Sequence, residues 1–148
     1  AAADPGTARR EAAIGAALAR AGGGLRNASL TVGLVAAWLA IRPTFIEPGW
    51  RPPVGDLVFL GEVLLLALGQ WLGLRLTLDA DLFADLVRDP DLAGFDAAMT
   101  GLRLMPKAKA GRSMAARIAG VRRLARLLGL VLAVQIALLV GFLLFGVV

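Results

Sequence analysis

The chain has 148 residues, of which 58% are hydrophobic, and it contains no Cys, His or Tyr. Apolar residues make up about 45–50% of a typical soluble domain, so this composition excludes an ordinary soluble protein, and the length suits a single domain. The missing residues exclude disulfides, thiolate nucleophiles, imidazole bases and His-ligated haem or bacteriochlorophyll. The net charge of +5, next to long apolar runs, favours a membrane protein with a basic cytoplasmic side and argues against nucleic acid as a partner.

The N-terminal segment, residues 1–27, predicts a short amphipathic helix over about residues 7–21. Its apolar side chains recur at helical spacing and predict one face, which we expect to lie on the membrane surface. That face consists of Ile14, Leu18, Ala21 and Leu25. The three glycines at 22–24 predict a break before the first membrane span.

Three segments are apolar over the roughly 20 residues that are needed to span a bilayer. They cover about 28–46, 54–76 and 127–148. The Pro-rich connection 43–53 is unsuited to a helix, so the first two spans should form a tight hairpin. The sequence therefore predicts an all-α integral membrane protein that forms one membrane domain.

The positive charges predict the orientation of the spans. Four Arg precede residue 28, two lie at the hairpin connection, and ten Lys or Arg lie between residues 75 and 126. Because positive residues are retained on the cytoplasmic side, we expect a cytoplasmic N-terminus and a periplasmic C-terminus. The abundance of Ala, Leu, Gly and Arg suggests a bacterial source, and hence the bacterial inner membrane.

The cytoplasmic segment, residues 77–126, predicts three helices. They lie at about 79–88, 90–104 and 112–126, and the last should continue into the third span. Asp89 before Pro90 predicts an N-cap followed by proline at the first helical position. The apolar face of the middle helix consists of Leu92, Phe95, Met99 and Leu102.

The first half of this segment is rich in Asp, which could gather a hard cation such as Ca²⁺ or Mg²⁺. The spacing of Asp79, Asp81, Asp85, Asp89 and Asp91 matches no EF-hand. Helix caps and pairing with the basic half explain these residues more simply. We therefore expect no metal and no other cofactor.

Glu62 is the most unusual residue, because it is the only acidic side chain deep within a predicted span. An ionisable group there is costly and is a functional candidate by default, as a proton or cation site. The competing interpretation is a structural Glu that is protonated or hydrogen bonded to Gln135, Gln70 or Arg42. Gln70 and Gln135 are the other polar side chains inside the second and third spans.

Small residues recur on all three spans and predict close helix–helix packing in lipid. Ser29, Gly33 and Ala37 do so on the first span, and Gly69 and Gly73 form a GxxxG on the second. The longest stripe, on the third span, consists of Gly129, Ala133, Ala137 and Gly141. The sequence leaves open whether its partner is intramolecular or another chain.

The basic helix before the third span has an apolar face and an arginine face. The apolar face consists of Met114, Ile118, Val121, Leu124, Ala125 and Leu128, and the arginine face of Arg112, Arg122, Arg123 and Arg126. These arginines can bind anionic lipid head groups or simply set the topology. Arg117 falls on the apolar side, so it should find a carboxylate or phosphate, and the preceding acidic helix offers partners.

No catalytic motif is present, so we expect no enzyme. The leading interpretation is a non-catalytic small subunit or accessory protein of a larger membrane complex, with membrane lipids and integral-membrane subunits as partners. The alternative is a homo-oligomeric channel or transporter in which Glu62 from several copies is the cation or proton site. A third interpretation is a peripheral membrane protein that senses lipids or a partner.

Overall fold

The computed structural model describes residues 5–46, 53–89, 91–103, 106 and 110–145. This part of the chain is helical, without strands, and its elements are α1 (Pro5–Ile46), α2 (Pro53–Arg88), α3 (Leu92–Gly101) and α4 (Met114–Phe145). Helices α1, α2 and α4 are each long and apolar enough to cross a membrane. The prediction of an all-α, multi-pass membrane protein with three spans is therefore confirmed.

The three long helices are longer than a bilayer requires. They contain 42, 36 and 32 residues, which at 1.5 Å per residue give about 63, 54 and 48 Å. The hydrocarbon core of a membrane is about 30 Å thick. The bundle therefore has a membrane half, formed by the described residues of 28–46, 54–76 and 127–145, and an extramembrane half, formed by the rest.

Core positions recur every seven residues along all three long helices, and most of them are buried. This repeat holds side chains on one face of a helix when the helices wind around each other with a left-handed twist. The positions are Ala12, Ala19, Arg26, Gly33 and Ala40 on α1, Gly55, Glu62, Gly69, Leu76 and Phe83 on α2, and Met114, Val121, Leu128, Gln135 and Phe142 on α4. The sequence analysis did not identify this repeat.

Helices α1 and α2 pack in one antiparallel register, in which large groups of one helix cover glycines of the other. Phe83 lies over Gly15, and Leu76 lies over Gly22. Seven residues further along α1, the pattern reverses and Ser29 lies over Gly69. The glycines let the two backbones approach closely, and α4 packs against both helices.

The prediction of a separate N-terminal surface helix is wrong. Helix α1 runs without interruption through glycines 22–24, because the absence of a Cβ at Gly22 accommodates Leu76 of α2. The buried face of this segment consists of the small residues Ala12, Gly15, Ala16, Ala19 and Gly22, whereas Ile14 and Ala21 of the predicted apolar face are exposed. Packing against α2 selects the smallest side chains, which hydrophobicity does not identify.

The predicted helix over about 79–88 is not separate, because α2 continues through it to Arg88. The predicted cap is also two residues too early. The N-cap of α3 is Asp91, whose carboxylate accepts hydrogen bonds from the backbone N–H groups of Ala93 and Gly94, while the N–H of Asp89 still bonds to Asp85 in the last turn of α2. The middle helix is accordingly shorter than predicted, and Leu102 is exposed.

Helices α1 and α2 pack antiparallel, as the predicted hairpin requires, but they reach further into its connection than predicted. Helix α1 includes Pro43, which removes only one backbone donor, and α2 begins at Pro53, a position suited to proline at a helix start. Residues 47–52 of the connection, with Pro48, lie outside the described residues. Helix α4 continues from the extramembrane half into the third span, as predicted.

Candidate functional site

A polar layer lies inside the membrane half, where the three helices meet. The Ser29 hydroxyl of α1 donates a hydrogen bond of 2.6 Å to Oε1 of Gln135 on α4, and both side chains are fully buried. Gly69 of α2 leaves the space for the hydroxyl, and Gly33 of α1 leaves the space for the Gln135 amide nitrogen. The two glycines are therefore required by the polar layer as well as by helix packing.

Glu62 is fully buried in the same half of the bundle, and neither of its carboxylate oxygens has a hydrogen-bond partner among the described residues. The Nε2 donor of Gln135 is also buried and without a hydrogen bond there. The Gln135 side chain interacts with the Glu62 carboxyl, but no hydrogen bond of acceptable geometry joins them. Buried polar groups are normally satisfied, and these three atoms are the buried side-chain atoms that lack a hydrogen bond among the described residues.

Gln70 does not join this layer. Its side-chain amide donates a 3.5 Å hydrogen bond to the backbone carbonyl of Arg26 and so ties α2 to α1. The alkyl part of Arg26 lies against Gly73. Both glycines of the GxxxG, Gly69 and Gly73, thus pack against α1 of the same chain. Arg42, another suggested partner of Glu62, lies outside the described side chains.

The small-residue stripe of α4 faces the opposite way. At 100° per residue it is centred about 180° around the helix from the buried residues Leu128, Gln135 and Phe142. Ala133 and Ala137 are exposed. A side chain added at Gly129 or Gly141 would meet nothing within 4 Å. The described helices therefore leave this stripe, formed by Gly129, Ala133, Ala137 and Gly141, without an intramolecular partner.

In the extramembrane half, Arg117 forms a nearly buried ion pair with Asp96 of α3. The two charged groups are 2.5 Å apart, with side chains only 13% and 9% exposed. The guanidinium also donates to the Arg112 carbonyl and lies over the Phe95 ring. The second oxygen of Asp96 accepts the backbone N–H of Gly111 at 2.7 Å. The acidic helix thus supplies the carboxylate expected for Arg117.

Asp96 itself was missed by the sequence analysis, although a signal was available. It lies four residues after Leu92 and three before Met99, so it shares the apolar face of α3. A single carboxylate on such a face calls for a buried cation, and Arg117 is the one arginine on the apolar face of α4. Asp96 and Arg117 are each a charged residue on an apolar face, and matching them would have predicted the ion pair.

The remaining arginines of the basic helix, Arg112, Arg122, Arg123 and Arg126, are exposed, as their predicted face requires. Their surroundings differ. Arg112 and Arg123 line a half-open groove between α2, α3 and α4, whereas Arg122 and Arg126 lie outside it.

Among the described residues, the acidic side chains do not converge in any group of three or more that could hold a metal ion. No protein-family model, curated protein or solved structure matches this chain.

Proposed function

We propose that this chain is a non-catalytic small subunit or accessory protein of a larger integral-membrane complex. The observation that carries the proposal is the stripe of Gly129, Ala133, Ala137 and Gly141, which faces away from the chain's own helices. In lipid no hydrophobic force drives helices together, and small residues promote association by letting backbones approach closely. The stripe is therefore suited to a helix of another chain.

The surface around the stripe supports the same proposal. Leu130, Val140 and Leu144 are exposed large side chains on the same face of α4, so the stripe is part of a continuous apolar surface. The complex would lie in the bacterial inner membrane, with the basic extramembrane half in the cytoplasm and the C-terminus in the periplasm. This orientation rests on the excess of positive charge in the extramembrane half.

The test is purification from native membranes without crosslinker, with the stripe blocked by Ala133→Leu and Ala137→Leu. Ala67→Leu is the matched control, because Ala67 is an exposed alanine in the membrane half of α2. We expect larger membrane subunits to co-purify with the unmodified chain and with the control, and to be lost from the double variant. A stable homo-oligomer alone, or equal loss in the control, would contradict the proposal.

A second candidate function is a channel or transporter in a homo-oligomer, with Glu62 as the cation or proton site. The unpaired atoms of Glu62 and Gln135 favour it, because they could be satisfied by an ion or a proton in transit. Glu62 faces the interior of its own bundle, so in this candidate each copy would carry its own path.

Flux across reconstituted vesicles separates the two functions. Glu62→Gln should abolish cation or proton flux if the second candidate is correct, and should only alter assembly if the first is correct. Glu11→Gln is the control, since it makes the same chemical change in the extramembrane half. Flux that is absent from the unmodified chain, or that persists in Glu62→Gln, would exclude the second candidate.

A further inference from the structure

A groove of about 540 Å³ opens between α2, α3 and α4 at the junction of the two halves of the bundle. This volume lies in the range of about 300–1,000 Å³ that is typical of small-molecule sites. Its wall towards the membrane includes Trp71, Leu124 and Leu127, and its wall away from the membrane includes Phe95 and Met99. The groove therefore crosses the level at which lipid head groups meet the hydrocarbon core.

The charges of the groove are predominantly positive. Its four arginines are Arg75, Arg112, Arg117 and Arg123, and Asp79 is the acidic residue in its lining. Arg117 is already neutralised by Asp96. If Asp79 neutralises one further arginine, two positive charges at the mouth of the groove have no carboxylate partner among the described residues.

Trp71 fixes the depth of the groove. The residue is 55% exposed, and the Arg75 guanidinium lies 5.8 Å from its ring centroid. Tryptophan and arginine side chains are characteristic of the membrane interface, where an apolar body meets a polar head. Apolar walls below a positive mouth are complementary to a molecule with a hydrocarbon chain and an anionic head.

We propose that this groove binds one anionic phospholipid, with its acyl chain along Trp71, Leu124 and Leu127 and its phosphate near Arg123, while Arg112, eleven residues earlier and further from the membrane, adds to the positive charge of the groove. Basic pockets between membrane helices on the cytoplasmic side commonly bind such head groups. Arg117 shapes the site through its pair with Asp96 but does not contact the lipid head. Arg122 and Arg126 lie outside the site, so equal charge on the same helix should contribute unequally. This inference is independent of the proposed function.

The test uses Trp71 as its own reporter, in the full chain with Trp38→Phe and Trp50→Phe. The protein is placed in nanodiscs of neutral phosphatidylcholine that contain a small fraction of brominated phosphatidylglycerol, or the same fraction of brominated phosphatidylcholine. We expect the brominated anionic lipid to quench the fluorescence of Trp71 more strongly than brominated phosphatidylcholine does. Equal quenching by the two lipids would overturn the proposal.

Two double variants, each of which removes two arginine charges, provide the matched comparison. Arg112→Gln with Arg123→Gln should reduce the preference for the anionic lipid by about 30-fold, whereas Arg122→Gln with Arg126→Gln should leave most of it. Arg75 is kept in both, so the emission of Trp71 in neutral lipid should not change. Equal losses in the two pairs would show a diffuse electrostatic effect and would contradict a site.

Gly120→Leu tests the site without changing any charge, and it covers the case in which the arginine variants fail to fold. Gly120 lines the groove, and a side chain there meets no described atom within 4 Å. We expect it to reduce quenching by the anionic lipid while helix content stays the same. Soluble glycerol phosphate should not restore the unquenched signal, because it lacks the acyl chain. Full competition by it would indicate a free-anion site instead and would refute the lipid proposal.

Discussion

The two halves of the bundle share one seven-residue repeat but differ in the polar groups that their cores contain. Among the described residues, the core of the extramembrane half contains large apolar side chains such as Phe83, Leu86 and Ile118, and a nearly buried ion pair joins Arg117 and Asp96. The core of the membrane half contains apolar side chains such as Leu128 and Phe142, but Ser29, Glu62 and Gln135 are buried among them, and three of their polar atoms have no hydrogen bond among the described residues. In water apolar burial stabilises a core, whereas in lipid close packing and polar contacts must do so. The difference is that the described contacts satisfy the charged groups in the extramembrane core but leave polar atoms of the membrane core without a hydrogen bond.

The largest effect should come from breaking the extramembrane ion pair. Asp96→Ala leaves the Arg117 guanidinium nearly buried without a counter-charge, and we expect a loss of about 3–5 kcal/mol in the free energy of unfolding. Thermal unfolding in micelles measures the loss, and hydrogen exchange should show that α3 loses protection first.

Asp85→Ala is the control for this variant. Asp85 also pairs with an arginine, Arg88, but that pair is 3.6 Å long and its side chains are 82% and 70% exposed. Exposed pairs contribute about 0–1 kcal/mol, so this change should be nearly silent. Similar losses in the two variants would show that the ion pair of Asp96 is not part of a closed core.

An intermediate effect is expected where α1 and α2 touch. Gly22→Ala places a methyl group against the buried Leu76 side chain, and overpacking of this kind costs about 1–3 kcal/mol. Gly23→Ala, one residue on, meets nothing within 4 Å and should stabilise the helix by about 0.5–1 kcal/mol. Denaturation of both variants shows whether each substitution raises or lowers the free energy of unfolding. If glycines 22–24 were a helix break, the two substitutions would behave alike.

The smallest effects should come from the polar layer in the membrane half. Ser29→Ala removes the hydrogen bond to Gln135, and polar contacts between membrane helices are worth about 0.6 kcal/mol on average. Glu62→Met should leave stability unchanged or raise it, because it replaces unpaired buried oxygens with an apolar chain of similar size. The free energies of unfolding of the Ser29→Ala and Glu62→Met variants, measured in lipid bicelles, test both expectations. A large loss in Glu62→Met would show that Glu62 has a structural partner.

Large side chains made the fold predictable, and small ones did not. The spans and the apolar face of α4 follow from contrasts between Leu, Ile or Val and Arg, and the structure has them as predicted. The buried face of α1 consists mainly of Ala and Gly, which give no hydropathy contrast and make helix breaks look plausible. Two Asp residues flank Pro90, and local sequence alone did not show that Asp91 is the cap. The partner of Arg117 lies 21 residues away, so it depends on how the helices fold back.

The individual residues of the site were predicted better than their arrangement in space. Glu62 and Gln135 were identified as the polar exceptions of their spans, but the choice of Ser29 as the hydrogen-bond partner of Gln135 depends on the register of α1 against α4. The outward direction of the α4 stripe likewise depends on which face of α4 the other helices cover. Spacing identifies a packing face, and only the tertiary arrangement assigns it to this chain or to another.

The central claim, that the membrane half is completed by a helix of another chain along α4, has a direct test. Because the chain contains no cysteine, Ala137→Cys and the control Ala67→Cys can each carry a single benzophenone label in native membranes. Illumination should give a discrete protein adduct at residue 137 and only lipid adducts at residue 67, and the mass of the adduct distinguishes another subunit from a second copy. Only lipid adducts at residue 137, or the same protein adduct at both positions, would contradict the account.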